Sequence, residues 1–171
     1  MAADHTISLR HAAVVSNTFA LLLTVSMVTP LLGLPQLYTG SIVNATLLVT
    51  AVVLGPRAAV TLGFLPSAFA LMSGQLPARL APLVPLIVTG NALLVVVFHW
   101  MRRRGWWVGV VAAAVAKFCW LFGTTSLLSA AMGLAGPAAT LALTLMGWPQ
   151  LVTALSGGVI AYAVLKPARR L

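Results

Sequence analysis

Apolar runs separated by short proline-, glycine- and arginine-bearing gaps set the pattern of this chain. The runs cover residues 12–32, 41–54, 58–72, 83–101, 106–128 and 149–165. Each reads as a helix, because a segment this apolar cannot expose unpaired backbone groups to lipid. The gaps carry the breakers that end such helices. Gly33 and Pro35 lie in the first, Gly55 and Pro56 in the second, Gly74, Pro77 and Pro82 in the third, and Gly105 follows three arginines in the fourth. Between the fifth and sixth runs the stretch 129–147 is rich in Gly, Pro and Ala, and PAATLALTLM within it reads as a partial helix. The pattern predicts an all-α, polytopic membrane protein in a single domain, residues 1–171, with six transmembrane helices.

Composition sharpens this picture. The chain is 61% hydrophobic and 6% charged, against about 25% charged residues in ordinary soluble domains. Most of its surface is therefore expected to face the lipid bilayer. A net charge of +9 would elsewhere suggest nucleic acid. Here the basic residues sit in the gaps, where Lys and Arg set membrane topology, so no nucleic-acid partner is expected. With both termini cytoplasmic, Arg10, Arg57, Arg102, Arg103, Arg104, Lys166, Arg169 and Arg170 fall inside and only Arg79 outside. Trp100, Trp106 and Trp107 flank the triple arginine as an interfacial belt. The first run lacks a clear cleavage site and reads as a span, not a signal peptide. The second and third runs look short for a roughly 30 Å hydrocarbon core, which marks their outer ends as one wall of a site.

Lys117 is the sharpest residue. It lies 11 residues into the fifth run, about 16 Å along a helix, close to the midplane. A lysine there costs several kcal/mol unless paired, wet or neutral, and the only acid in the chain is Asp4, near the other end. Two readings stand: a counter-charge for an anionic solute, or a snorkelling or neutral side chain. Trp120, Leu121 and Thr124 share its helical flank. Trp120 is a candidate for stacking on a flat ring and Thr124 for a polar contact. Asn91 lies near the middle of the fourth run, as ligand contact or interhelical glue. Asn44 and Gln150 are placed near the outer ends of the second and sixth runs, and Gln75 and Arg79 on the outer loop between the third and fourth. These eight are the candidate substrate-binding residues. A small-residue stripe, Ala12, Ser16 and Ala20, offers a close-approach face for a partner helix.

Several chemistries lack their residues. No GxxxxGK[ST] motif is present, so ATP is not bound here by a P-loop. No Asp or Glu lies in a span, which leaves a proton or sodium relay without its usual groups. The histidines, His5, His11 and His99, lack metal-ligand spacing, and Cys119 is the single cysteine. No nucleophile–base pair is evident. Neither an enzyme nor a metal site is expected.

The runs SIVNATLLVTAVVLGPRAA, GFLPSAFALMSGQLP, PLVPLIVTGN and WPQLVTALSGGVIA resemble a substrate-binding S component of an energy-coupling factor (ECF) transporter. This resemblance spans nearly the whole chain. It implies a prokaryotic plasma-membrane subunit for vitamin uptake, whose outer pocket is roofed by the loops 32–40, 73–82 and 129–147. It also implies a separate membrane T component and two ATPase subunits, so that ATP is hydrolysed by partner chains and this chain carries no cofactor. The family's docking motif Ala-x-x-x-Ala falls where this chain has Ala12 and Ser16, followed by Ala20. The expectation is a binding subunit for a small, anionic, vitamin-like micronutrient. Its rivals are a structural or assembly subunit of a membrane complex and a stand-alone solute facilitator.

Overall fold

The computed structural model describes residues 2–72, 74, 78–131 and 136–168. The described residues form seven α-helices and two 3-10 turns, with no strand. The helices are α1 (Ala2–Leu31), α2 (Gln36–Val53), α3 (Pro56–Met72), α4 (Val84–Met101), α5 (Trp106–Ala131), α6 (Pro137–Met146) and α7 (Trp148–Leu165). Five segments are long and apolar enough to cross a membrane: Ala12–Leu31, Gln36–Val53, Leu80–Arg104, Trp106–Ala131 and Ala139–Leu165. The α3 helix, 17 residues long with Pro66 inside it, is not among them.

Two boundaries differ from the expectation. The α1 helix starts at Ala2, so the polar N-terminal segment continues the first helix. More consequential, α2 starts at Gln36 instead of residue 41. Pro35 supplies the first carbonyl, accepting from both the Tyr38 and Thr39 amides, at 3.0 and 3.2 Å. The Pro35 ring cannot donate, but at a helix entrance nothing asks it to. With 18 residues, about 27 Å, α2 is not a short span. Gly40, read as a linker glycine, lies inside the helix, where a Cβ would sit 2.8 Å from Thr153 Cγ2. Its missing side chain lets α2 and α7 touch.

The α2 helix is the hub of the bundle, packed on α1, α3, α4 and α7. Its contact with α7 is the most extensive, followed by that of α4 with α5. Gly157 makes the first possible: a Cβ there would meet Asn44 Cβ at 2.7 Å and the Ala45 amide nitrogen at 2.9 Å. Leu47, Leu48, Leu62, Leu94, Val95, Phe98, Ala113 and Ala114 form the main core. A second apolar cluster of Leu80, Leu83, Leu121, Ala142 and Met146 joins the 3-10 turn Ala78–Leu83 to α5 and α6, with Val84 and Ile87 of α4 packed against it. Two buried threonines of α2 are satisfied within the helix, whereas the buried hydroxyls of Ser26, Thr125 and Ser129 have no hydrogen-bond partner among the described residues. Thr46 and Thr50 donate to the carbonyls of Ile42 and Thr46, four residues back, at 2.8 and 2.7 Å.

The turns at one end are tight and basic. Gly55 takes φ +93° and its amide donates to Thr50 O, which closes α2 directly before Pro56 opens α3. Arg102–Arg104 form a 3-10 turn ended by Gly105 at φ +137°. Trp106 packs edge-on to Phe98 at 5.1 Å, and Trp107 lies 5.2 Å from the Tyr162 ring. Large apolar side chains such as Val14, Leu21, Phe64, Val111, Leu127 and Val164 point outward, as they do on a surface that meets lipid.

Candidate functional site

The site is built on a lysine buried between the helices. Lys117, 3% exposed, projects from α5 towards α2 and α4. Its Nζ donates to Asn44 Oδ1 and to Asn91 Oδ1, each at 2.7 Å. An ammonium has three N–H groups and no acceptor, so both carboxamides must present oxygen to it. That fixes their other ends. Asn44 Nδ2 donates to Thr153 Oγ1 at 3.2 Å, and Asn91 Nδ2 to Gly63 O at 3.2 Å. Thr153 in turn donates to Gln150 O at 3.1 Å. One lysine thus ties α2, α3, α4, α5 and α7 together at one depth of the bundle.

This network lies at one end of a cavity of about 360 Å³. Pro30, Leu34, Val43, Pro66, Ile87, Leu145 and Met146 give it apolar walls. Asn44, Asn91 and Lys117 line it together with Gln36, Thr39, Ser67 and Gln150. Apart from Leu34, which lies between α1 and α2, these residues come from the C-terminal parts of α1, α3 and α6 and from the N-terminal halves of α2, α4 and α7, with Lys117 from the middle of α5. The cavity therefore sits in the half of the bundle away from Arg57 and Arg102–Arg104. Below the lysine, the Leu47, Leu94, Phe98 and Ala113 core closes the path to the basic end.

Near the other end of the cavity stand two glutamines. Gln36 Nε2 and Gln150 Nε2 both donate to Leu145 O, at 2.8 and 3.0 Å. They satisfy a carbonyl in the last turn of α6, which would otherwise lack an intrahelical partner. The starts of α2 and α7 are thereby pinned to the end of α6. Each glutamine keeps its Oε1 as an acceptor. The polar inventory is thus divided, with N–H donors around Lys117 and amide acceptors around Leu145.

Of the candidates read from sequence, Lys117, Asn91, Asn44 and Gln150 come together here. Asn44 lies mid-helix beside Lys117, deeper than expected, because α2 begins five residues early. Trp120 and Thr124 do not line the cavity. Trp120 is 38% exposed, and its indole N–H is held by Leu86 O at 3.2 Å and Thr89 Oγ1 at 3.0 Å. Thr124 donates to Trp120 O at 2.6 Å. Gln75 and the side chain of Arg79 lie outside the described residues. Ala12, Ser16 and Ala20 are exposed on α1. Gln36, Ser67, Thr39 and Thr153 had not been singled out. Gln36 could have been, by reading Pro35 as a helix entrance. No cluster of His, Cys, Asp or Glu suited to a metal ion occurs among the described residues.

Comparison of the chain with protein-family models, with curated proteins and with solved structures finds no match.

Proposed function

We propose that this chain is a membrane-embedded binding subunit for a small anionic, vitamin-like micronutrient, of the ECF S-component type. The observation that carries the reading is Lys117, buried among neutral partners beside a cavity. Two carboxamide oxygens satisfy two of its N–H groups but supply no counter-charge. A buried ammonium without an anion is expensive, so a carboxylate or phosphate entering the cavity would gain its full value there. Each asparagine carboxamide has a second N–H beyond the one it gives to Thr153 or Gly63, and these would join the lysine in holding that anion. Apolar walls would enclose the rest of the solute, and most of the affinity would come from that enclosure.

The working arrangement has six spans, α3 included and α6 counted with α7, and cytoplasmic termini in a prokaryotic plasma membrane. The arginine distribution supports this orientation. It puts the cavity in the outer half, as uptake requires. Among the described residues the apolar core beneath Lys117 leaves no polar route towards the basic end, which favours a binding subunit over a facilitator. Import would then depend on a T component and two ATPase subunits.

The test is the melting temperature of the purified protein against a panel of vitamin-like carboxylates and phosphates, each beside its neutral amide or alcohol. One anion at a hundredfold excess over its Kd should raise the melting temperature by about 5 °C or more, and its neutral analogue much less. No shift with any member would move the assignment to a structural subunit, with Lys117 paired to an acid on a neighbour.

A further inference from the structure

A second concave site lies at the opposite, basic end of the bundle. It is a groove of about 450 Å³ between α3 and α4, lined by Pro56, Arg57, Val60, Thr61, Val96, His99 and Trp100. It shares no residue with the cavity at Lys117. We propose that this groove binds the headgroup of an anionic phospholipid.

Four observations converge on that chemistry. Arg57 and His99 are the ionisable side chains of the lining, which includes no acid among the described residues. The Arg57 guanidinium is exposed and offers the planar donor fork that suits a phosphodiester. Pro56 and Arg57 are the first two residues of α3; Pro56 has no N–H, so the backbone donors that precede the first helical bond, Ala59 N–H to Gly55 O, are the amides of Arg57 and Ala58, and they favour negative charge at the same place. Val60 and Val96 continue the groove along the bundle as an apolar track, with Val96 39% exposed, where an acyl chain would lie. Trp100, 69% exposed, sits at the headgroup level that indoles prefer. A soluble anion would use the basic lip of this groove but not the valine track, so the shape favours a lipid.

The experiment is native mass spectrometry of the full chain in detergent, titrated with equimolar phosphatidylglycerol and phosphatidylcholine of the same acyl chains. The wild type should retain one phosphatidylglycerol in about tenfold preference. Arg57→Gln should reduce that preference at least about fivefold, while Arg103→Gln, which changes the same net charge outside the groove, should leave it within about twofold. Val60→Trp, which fills the groove and keeps its charges, should also lower retention. Equal retention of the two lipids would overturn the proposal. So would an Arg103→Gln effect as large as that of Arg57→Gln, or unaltered retention in Val60→Trp. Glycerophosphate binding as well as the lipid would assign the groove to soluble anions instead.

Discussion

Lys117→Met separates the binding role of the lysine from its structural one. Methionine keeps an unbranched chain of similar length, with sulfur at the δ position, and removes Nζ. For the unliganded fold the structure sets two opposing terms. Asn44 Oδ1 and Asn91 Oδ1 each lose a 2.7 Å bond and are left without that donor in a buried site. That costs about 1–3 kcal/mol each, or about 2–6 kcal/mol together. Against it stands relief from burying an ammonium, itself several kcal/mol. The two nearly offset, and the net change should stay within about 2 kcal/mol, a melting shift below about 8 °C. Binding has no such offset. An anion would lose its only counter-charge and face two carboxamide oxygens, so affinity should fall at least about a hundredfold, or about 2.7 kcal/mol. The assay is isothermal titration of wild type and variant with the anion found in the melting panel, both proteins first shown to be monodisperse. Affinity within about threefold of wild type, in a folded variant, would refute the counter-charge role.

The remaining predictions follow from neighbouring geometry. Asn91→Leu breaks both the Lys117 bond and the Gly63 bond, and should cost stability of about 2–4 kcal/mol by thermal or denaturant unfolding, with weaker anion binding. Gly157→Ala places a Cβ 2.7 Å from Asn44 Cβ, so α2 and α7 must part; about 1–3 kcal/mol of stability and about tenfold in affinity should be lost, measured by melting and titration. Trp120→Phe removes an indole N–H that is occupied by Leu86 O and Thr89 outside the cavity, and should leave affinity within about twofold. A larger loss would bring Trp120 back to the binding site.

The helical class and the central residue were legible in the sequence for a simple reason. A polar group inside an apolar run has few places to go, so Lys117 and Asn91 announced themselves by cost alone. What remained hidden depended on angle and on helix entrances. Trp120 and Leu121 follow Lys117 by three and four residues, on either flank of its position. Packing against α4 and α6 buries Leu121 fully and turns Trp120 outward, a choice that spacing alone does not make. Gln36 stayed hidden because Gly33, Pro35 and Gly40 together read as a linker. The chain instead uses Pro35 to begin α2 and Gly40 to bring α7 close. Thr153 went unnoticed because a hydroxyl in a span satisfies itself on its own helix at little cost. Only the carboxamide of Asn44, arriving from another helix, gives it a second role.

The central claim is that the cavity beside Lys117 holds an anionic solute, and the most direct measurement is what travels with the protein. Native mass spectrometry of the gently purified chain, followed by denaturing extraction of any bound compound, reads this in one step. The account predicts one small molecule at up to one per chain, carrying a carboxylate or phosphate, and absent from the Lys117→Met variant. A neutral compound retained equally by wild type and Lys117→Met would contradict it.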